Sequence, residues 1–350
     1  MRAITIPCLL AAMALCAQAP DLRAVMLPGS RQDDMALPLL VSPSAPSVAS
    51  RLNTFLQLVY LEGLAKPGTG DPFARVRYDS NREGSGSTSS LSWSGKREGR
   101  MMAMQISSET MGAYPTESVD DLLLDCVNGQ PVEPADLFTP EGLKALGARL
   151  TPLRKAKLVR EIQSEKTRKP DEDTKSCIEV QEECLQEEAF GDITSLRLDA
   201  KDLAFPGSLD LPHVVLACDV DLTVSLPRQE LAPYLSPYGK ALMDPSLPAP
   251  ALPEAWTDRV FTGSIGTARV ALHLTREEDG SISGSYAYLK RGTAIDLSGS
   301  AKNGTYALDE SDADGATTGH LSFQQEGLKL RGAWTSPDGT RSLPFTASPE

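Results

Sequence analysis

In "SVASRLNTFLQLVYL" the apolar residues Val48, Leu52, Phe55, Leu56 and Val59 recur at spacings of three and four, which predicts a helix with one buried face, ended by Pro67-Gly68. Thr139-Pro140-Glu141 offers a cap and a first-turn proline to a second helix carrying Leu143, Leu146 and Leu150, and a further helical pattern runs from Pro152 to Glu165. Elsewhere the period falls to two. "SLSWSGKREGRMMAMQISSE" predicts paired strands after the flexible turn "NREGSGSTSS". "SVDDLLLDCVNGQPVEPADLF" predicts a strand over Leu122 to Val127, an Asn128-Gly129 turn and a return to Leu137-Phe138. "ITSLRLDAKDLAFP" and "LPHVVLACDVDLTVSLP" read as strands, and "RQELAPYLSPYGKAL" as a short helix broken by Pro233 and Pro237.

After the Pro-rich stretch "DPSLPAPALPEAW" the pattern becomes uniform. Eight short alternating segments follow, from "RVFTGSIG" to "RSLPFTA", and Asp279-Gly280, Asn303-Gly304, Asp314-Gly315 and Asp338-Gly339 punctuate them as tight turns. Sequential hairpins form a meander, and eight strands can close without leaving edges. The fold class expected is therefore an α+β N-terminal domain, an antiparallel sheet with helices, followed by an all-β eight-stranded, barrel-like meander. The expected divisions are a signal peptide over 1–19, an extended lead-in over 20–46, an α+β domain over 47–243, a linker over 244–256 and the meander over 257–348.

Composition changes this picture in two ways. The leader "MRAITIPCLLAAMALCAQA" has one arginine, an apolar run and small residues at Ala17 and Ala19, the layout of a secretory signal, so the mature chain is expected in the periplasm or outside the cell. Cys16 follows Leu15 rather than the small residue that normally precedes a lipid-modified cysteine, and no later run approaches the ~18 apolar residues of a membrane span. The formal charge is −13, which excludes nucleic acid as a partner and suits a cationic one.

Four cysteines follow the leader: Cys126, Cys177, Cys184 and Cys218, an even number that suggests two disulfides with three possible pairings. Cys177–Cys184 with Cys126–Cys218 is the expected pattern, the second tying two apolar strands. Were "CIEVQEEC" helical, its cysteines would sit about 10 Å apart, beyond the ~7 Å a bridge allows, so their pairing requires a loop or hairpin. The rival pattern joins Cys126 or Cys218 to the acidic segment and fixes that segment in place.

Catalytic signatures do not emerge. His213, His273 and His320 have no metal-ligand spacing, and no GxSxG, HExxH, P-loop or GxGxxG motif occurs. "ESDADG" imitates half a calcium loop, but residue 321 is Leu where a bidentate Glu is required, so a solvated turn is expected. Glu182, Glu183, Glu187 and Glu188 form a solvated charge run. No metal and no cofactor are expected. Trp93, Tyr286, Tyr288 and Trp334 are either sugar-stacking platforms or core packing.

The order of "LPLLVSP" before "SRLNTFLQ", "GAYP" (112–115), "LLLDCVNGQPVEPADLF" and "LPHVVLACDVDLTVSLPRQELAPYL", with Leu226-Pro227 and Leu231 at its end, resembles the RsiV-like family over roughly 35–243. That family includes the extracytoplasmic part of a lysozyme-binding anti-sigma factor and a module preceding some peptidoglycan deacetylases. The resemblance implies a binding role with lysozyme as partner. Tyr114 stands where many relatives have His, so no role needing an imidazole carries over. The expectation is a free exported form, because no membrane helix or sigma-binding segment is seen before residue 35. Gly284, Tyr286, Tyr288, Leu297, Gly299, Gly332, Trp334, Leu343, Pro344 and Phe345 resemble a widespread bacterial exported module, which implies no activity. Three readings result: a non-enzymatic binder of lysozyme or another cationic protein, a peptidoglycan- or polysaccharide-binding accessory protein, and a hydrolase with a dispersed site.

Overall fold

The computed structural model describes residues 21–30, 34–66, 70–80, 86–112, 114–168, 170–186, 189–209, 211–277, 279–302, 304–312 and 315–349. The signal peptide, Pro67-Gly68, the first half of the turn over 81–90, Asn303, Asp314, Glu187 and Glu188 lie outside them. In chain order the first part contains β1 (Arg23–Met26), β2 (Pro38–Val41), α1 (Pro46–Leu61), β3 (Thr88–Glu98), β4 (Met101–Met111), β5 (Pro115–Asp125), β6 (Gln130–Pro131), α2 (Pro134–Leu137), α3 (Pro140–Thr167) and α4 (Glu172–Cys184). There follow β7 (Arg197–Leu198), β8 (Asp202–Phe205), β9 (Val224–Pro227), α5 (Arg228–Leu231) and α6 (Pro237–Met243). Its sheets are β1-β2, β3-β4-β5-β6 and β7-β8-β9, all antiparallel. Among the described residues no helix is long and apolar enough to cross a membrane.

The lead-in does not run free. β1 and β2 pair from Arg23↔Val41 to Met26↔Pro38, and Leu22, Leu27, Met35, Leu37 and Leu40 join α1 in one core, because these apolar positions gain more from burial than from solvent. Helix α1 ends earlier than expected, at Glu62 in the left-handed conformation (φ 49°), and Val59 is 40% exposed rather than part of the buried face. The two helical patterns after Thr139 form the single helix α3, with Pro152 inside it. Leu146, Leu150, Arg154, Leu158 and Ile162 are buried at an unbroken spacing of four. Burying that continuous face offsets the ~3 kcal/mol that an interior proline costs.

The cysteines depart from the expected pairing. Cys177 is bonded to Cys218, with Cα atoms 4.9 Å apart. Their segment is the helix α4, capped by the Asp171 side chain on Thr174 N–H at 2.9 Å, which keeps Cys184 a helical reach away from Cys177. Cys218 ends a 3-10 turn (His213–Cys218), not a strand: Pro212 and Asp219 bracket it, and only Val224–Pro227 of that segment is extended. Cys126 is a free thiol at the end of β5, fully buried in the α1 core, where burial pushes it up to about 12. Cys184 is buried among Leu158, Ile162 and Ile178. The acidic segment is thus held in place, with Ile178, Gln181 and Cys184 turned inward.

The C-terminal part is a closed barrel of β10 (Asp258–Ile265), β11 (Ala268–Arg276), β12 (Ser281–Tyr288), β13 (Ala294–Lys302), β14 (Thr305–Ser311), β15 (Thr317–Glu326), β16 (Lys329–Thr335) and β17 (Ser342–Ser348), with β17 pairing back onto β10. Alternation decides its filling: Val270, Leu272 and Leu274 of β11 enter the interior, while His273 faces α1, its ring 5.1 Å from Phe55. Gly284 of β12 has φ 151°, and a Cβ there would lie 2.1 Å from the His273 carbonyl, so only glycine fits. Trp256 closes one end, stacked on Tyr306 and donating Nε1–H to Gln325 at 3.1 Å.

Barrel and first part share a tight junction. Fully buried Gln130 accepts from Val260 N–H at 2.9 Å and donates to the carbonyls of Val260 and Pro349, both at 3.1 Å. Beyond α1, Leu64 N–H reaches Gly292 O at 2.6 Å and Ala294 N–H reaches Glu62 O at 3.2 Å. The stretch over 244–256 has a linker's composition, yet Arg100, 1% exposed, gathers the carbonyls of Asp244 (3.4 Å), Pro245 (3.3 Å), Leu247 (2.7 Å) and Pro248 (2.9 Å) together with that of Ala241 (2.6 Å) in α6.

Candidate interaction site

Three of the aromatic residues singled out in the sequence converge on one end of the barrel, opposite Trp256. Tyr286 (1% exposed) and Trp334 both donate to Oε1 of Glu310, Trp334 at 2.7 Å, and Thr318 donates to Oε2 at 3.3 Å. Tyr288 meets the Tyr286 ring edge-on at 5.5 Å, and Arg341 covers Trp334 at 6.0 Å. Gly319 leaves the space: a Cβ there would lie 2.4 Å from Trp334 Nε1 and 2.5 Å from Glu310 Oε2. Glu310 follows Tyr306 and Leu308 at period two on the inner face, and donors from strands distant in sequence make that place tenable for a carboxylate. The sequence reading missed it by treating 310–315 as a solvated turn. A carboxylate supplied with three donors is a closed polar plug: Tyr286 is buried against it and Trp334 aims its Nε1–H at it, while Tyr288 stays half-buried beside the Tyr286 ring. Trp93 packs against the α1 core.

A second cluster sits at the junction. His273 Nε2 is paired with Asp258, Arg259 with Asp136 at 3.5 Å, and Tyr238 donates to fully buried Asp125 at 2.7 Å. Burial, helped by the charges of Asp258 and Asp136, pushes Glu133 up to about 8; burial also raises Asp136 to about 6, against the pull of Arg259. Glu133 and Asp258 line a cavity of about 70 Å³, too small for a substrate. Among the described residues no group of three or more His, Cys, Asp and Glu could hold a metal ion.

The junction predicts a pH dependence. Both folded values exceed the ordinary ones, 4.5 for Glu and 3.8 for Asp, so between these limits the folded chain keeps protons the unfolded chain has released. This contribution is complete below about pH 4 and is lost as pH rises to about 8. Thermal melts at about pH 5 and pH 8.5 should show the protein more stable at the lower value, and Glu133→Gln should flatten the difference. An unchanged slope in that variant would assign the effect elsewhere.

The third feature is open to solvent. β4 and β5 run on to the end of the sheet with β3 still paired to β4, and in this β4–β5 ribbon Pro115 to Asp120 are all exposed, with Tyr114 (70% exposed) at its tip and Val119 (57%) on β5. Glu109 and Glu117 stand directly opposite each other across the two strands, an arrangement of like charges that costs stability. Ser89 Oγ–H donates to Glu109 at 2.8 Å and Tyr60 O–H to Asp120 at 2.8 Å, whereas Glu117 has no partner among the described residues. The ribbon therefore joins exposed apolar side chains to uncompensated negative charge. Of the residues marked in the sequence only Tyr114 belongs to it; Val119, Glu109 and Glu117 were missed, although "TESVDD" carries the alternation that would have placed Glu117 and Val119 on one face. No family model matches this chain, and no curated protein matches it.

Proposed function

We propose that this chain is an exported, non-enzymatic envelope protein that binds a cationic protein through the β4–β5 ribbon, lysozyme being the partner implied by its resemblance to the RsiV-like family. The observation that carries the reading is the acidic pair of half-buried Glu109 and exposed Glu117, with no cation paired to either among the described residues, beside Tyr114 and Val119. A desolvated aromatic or aliphatic anchor ringed by charge is the usual composition of a binding surface. The Cys177–Cys218 bridge fits an oxidising compartment. The inward turn of Tyr286 and Trp334 favours a protein ligand over a polysaccharide, since stacking on sugar needs a free ring face.

Binding to immobilised hen-type lysozyme, measured at low ionic strength and at ~0.15 M salt, tests this. Association should weaken with salt, and Glu117→Lys should lower affinity about tenfold at low salt. Absence of binding at low salt, or binding indifferent to that reversal, would refute it.

A further inference from the structure

The outer edge of β5 is unpaired along the ribbon. Sheet order is β3-β4-β5-β6, but β6 covers only Leu124 and Asp125, so among the described residues no strand pairs with β5 from Pro115 to Asp121 on that side. Which backbone groups face outward follows from two bonds. Val132 N–H reaches Leu123 O at 2.8 Å, so the odd residues of β5 point away from β4. Met111 N–H reaches Ser87 O at 2.6 Å, so the odd residues of β4 point toward β3, leaving the even residues of both strands to make the β4–β5 ladder. Glu117 and Val119 thus present N–H and C=O to solvent, while Pro115 has no N–H and Asp121 is met by Arg197 at 3.8 Å. The free edge is short and bounded at both ends.

An exposed edge is a template for another strand, and its chemistry selects which. Glu117 and Asp121 share a face with Val119, and Glu109 lies across from Glu117 on that face. A second copy of this chain would bring the same carboxylates to the seam and repel. A strand with lysine or arginine opposite Glu117 would instead relieve the Glu109–Glu117 repulsion while its backbone satisfies the free groups. We infer that the partner docks by strand addition: an extended, basic segment pairs with β5 at Glu117 and Val119. This rests on the binding role proposed above and adds its mode.

The probe is a capped peptide alternating lysine and threonine, titrated against the full chain with amide exchange followed residue by residue. Protection of the Glu117 and Val119 amides on binding is expected. Val119→Pro removes an outward N–H and leaves the ladder to β4 intact, which protection of the Ser118 and Asp120 amides in the free variant verifies. It should cost the peptide at least about tenfold in affinity, while Val119→Thr should not. Unprotected 117 and 119 amides at saturating peptide, or equal binding by Val119→Pro, overturn strand addition. Sedimentation showing a dimer whose 117 and 119 amides are already protected also overturns it, in favour of a second copy. Lysozyme separates this from the broader reading: lysozyme bound equally by wild type and Val119→Pro refutes the edge alone, whereas peptide protection without any lysozyme binding refutes lysozyme alone.

Discussion

Replacing Arg100 by Ala should destabilise the protein by on the order of 4 kcal/mol, among the largest losses any single side chain here can cause. Its guanidinium donates to five carbonyls between Ala241 and Pro248, all from a side chain 1% exposed. Removing it takes a donor from all five acceptors, of which Asp244 O keeps the Leu247 N–H at 3.1 Å, and a carbonyl left unpaired in the gap carries a desolvation penalty of about 1–3 kcal/mol, part of which entering water recovers. Lysine keeps the charge but not the planar fork, so Arg100→Lys should recover less than half. Denaturant midpoints measure both variants, and limited proteolysis adds a local readout: cleavage between 244 and 256 should appear in Arg100→Ala before any global unfolding. Equal stability of the wild type and Arg100→Ala would mean that the stretch is held by other contacts.

Loss of the Cys177–Cys218 bridge should cost a similar amount. The cysteines are 41 residues apart, and closing a loop of that length lowers the entropy of the unfolded chain by about 4 kcal/mol at room temperature. The native side adds to this, because Ile178 and Cys184 of α4 otherwise rest on the small group of Leu158, Ile162, Phe190, Leu209 and Leu222. The double variant Cys177→Ser/Cys218→Ser should therefore unfold at markedly lower denaturant, and its α4 amides should exchange first. Non-reducing peptide mapping provides the independent check: a peptide joining Cys177 to Cys218 is expected, and one joining Cys177 to Cys184 would contradict the helix.

How much of this was legible depends on the kind of signal. The eight barrel strands could be read because each alternates over its own length and four Asp-Gly or Asn-Gly pairs mark their ends; that information is local. Glu310 was misread for the opposite reason. Its sequence neighbours are Asp309, Ser311 and Asp312, whereas the partners that make it an interior residue, Tyr286 and Trp334, lie on strands distant in sequence. The junction shares this property: Asp136 of the first part meets Arg259 of the barrel, 123 residues further along the chain.

The sequence by itself determined the elements whose stability is written in nearby residues: the face of α1, the capped start of α3 at Thr139, the meander and its turns. Tertiary structure alone decided what depends on competition between distant groups. Pro152 stays inside a helix because the buried face of α3 continues past it, and the lead-in packs down because the α1 core has room for Leu22, Leu27, Leu37 and Leu40. Cys177 chose Cys218 because α4 holds Cys184 out of reach while the 3-10 turn brings Cys218 to 4.9 Å. Local pattern fixes which backbone hydrogen bonds can form, but the partner of a buried side chain is set by the free energy of the whole packed arrangement, which no short stretch of sequence contains.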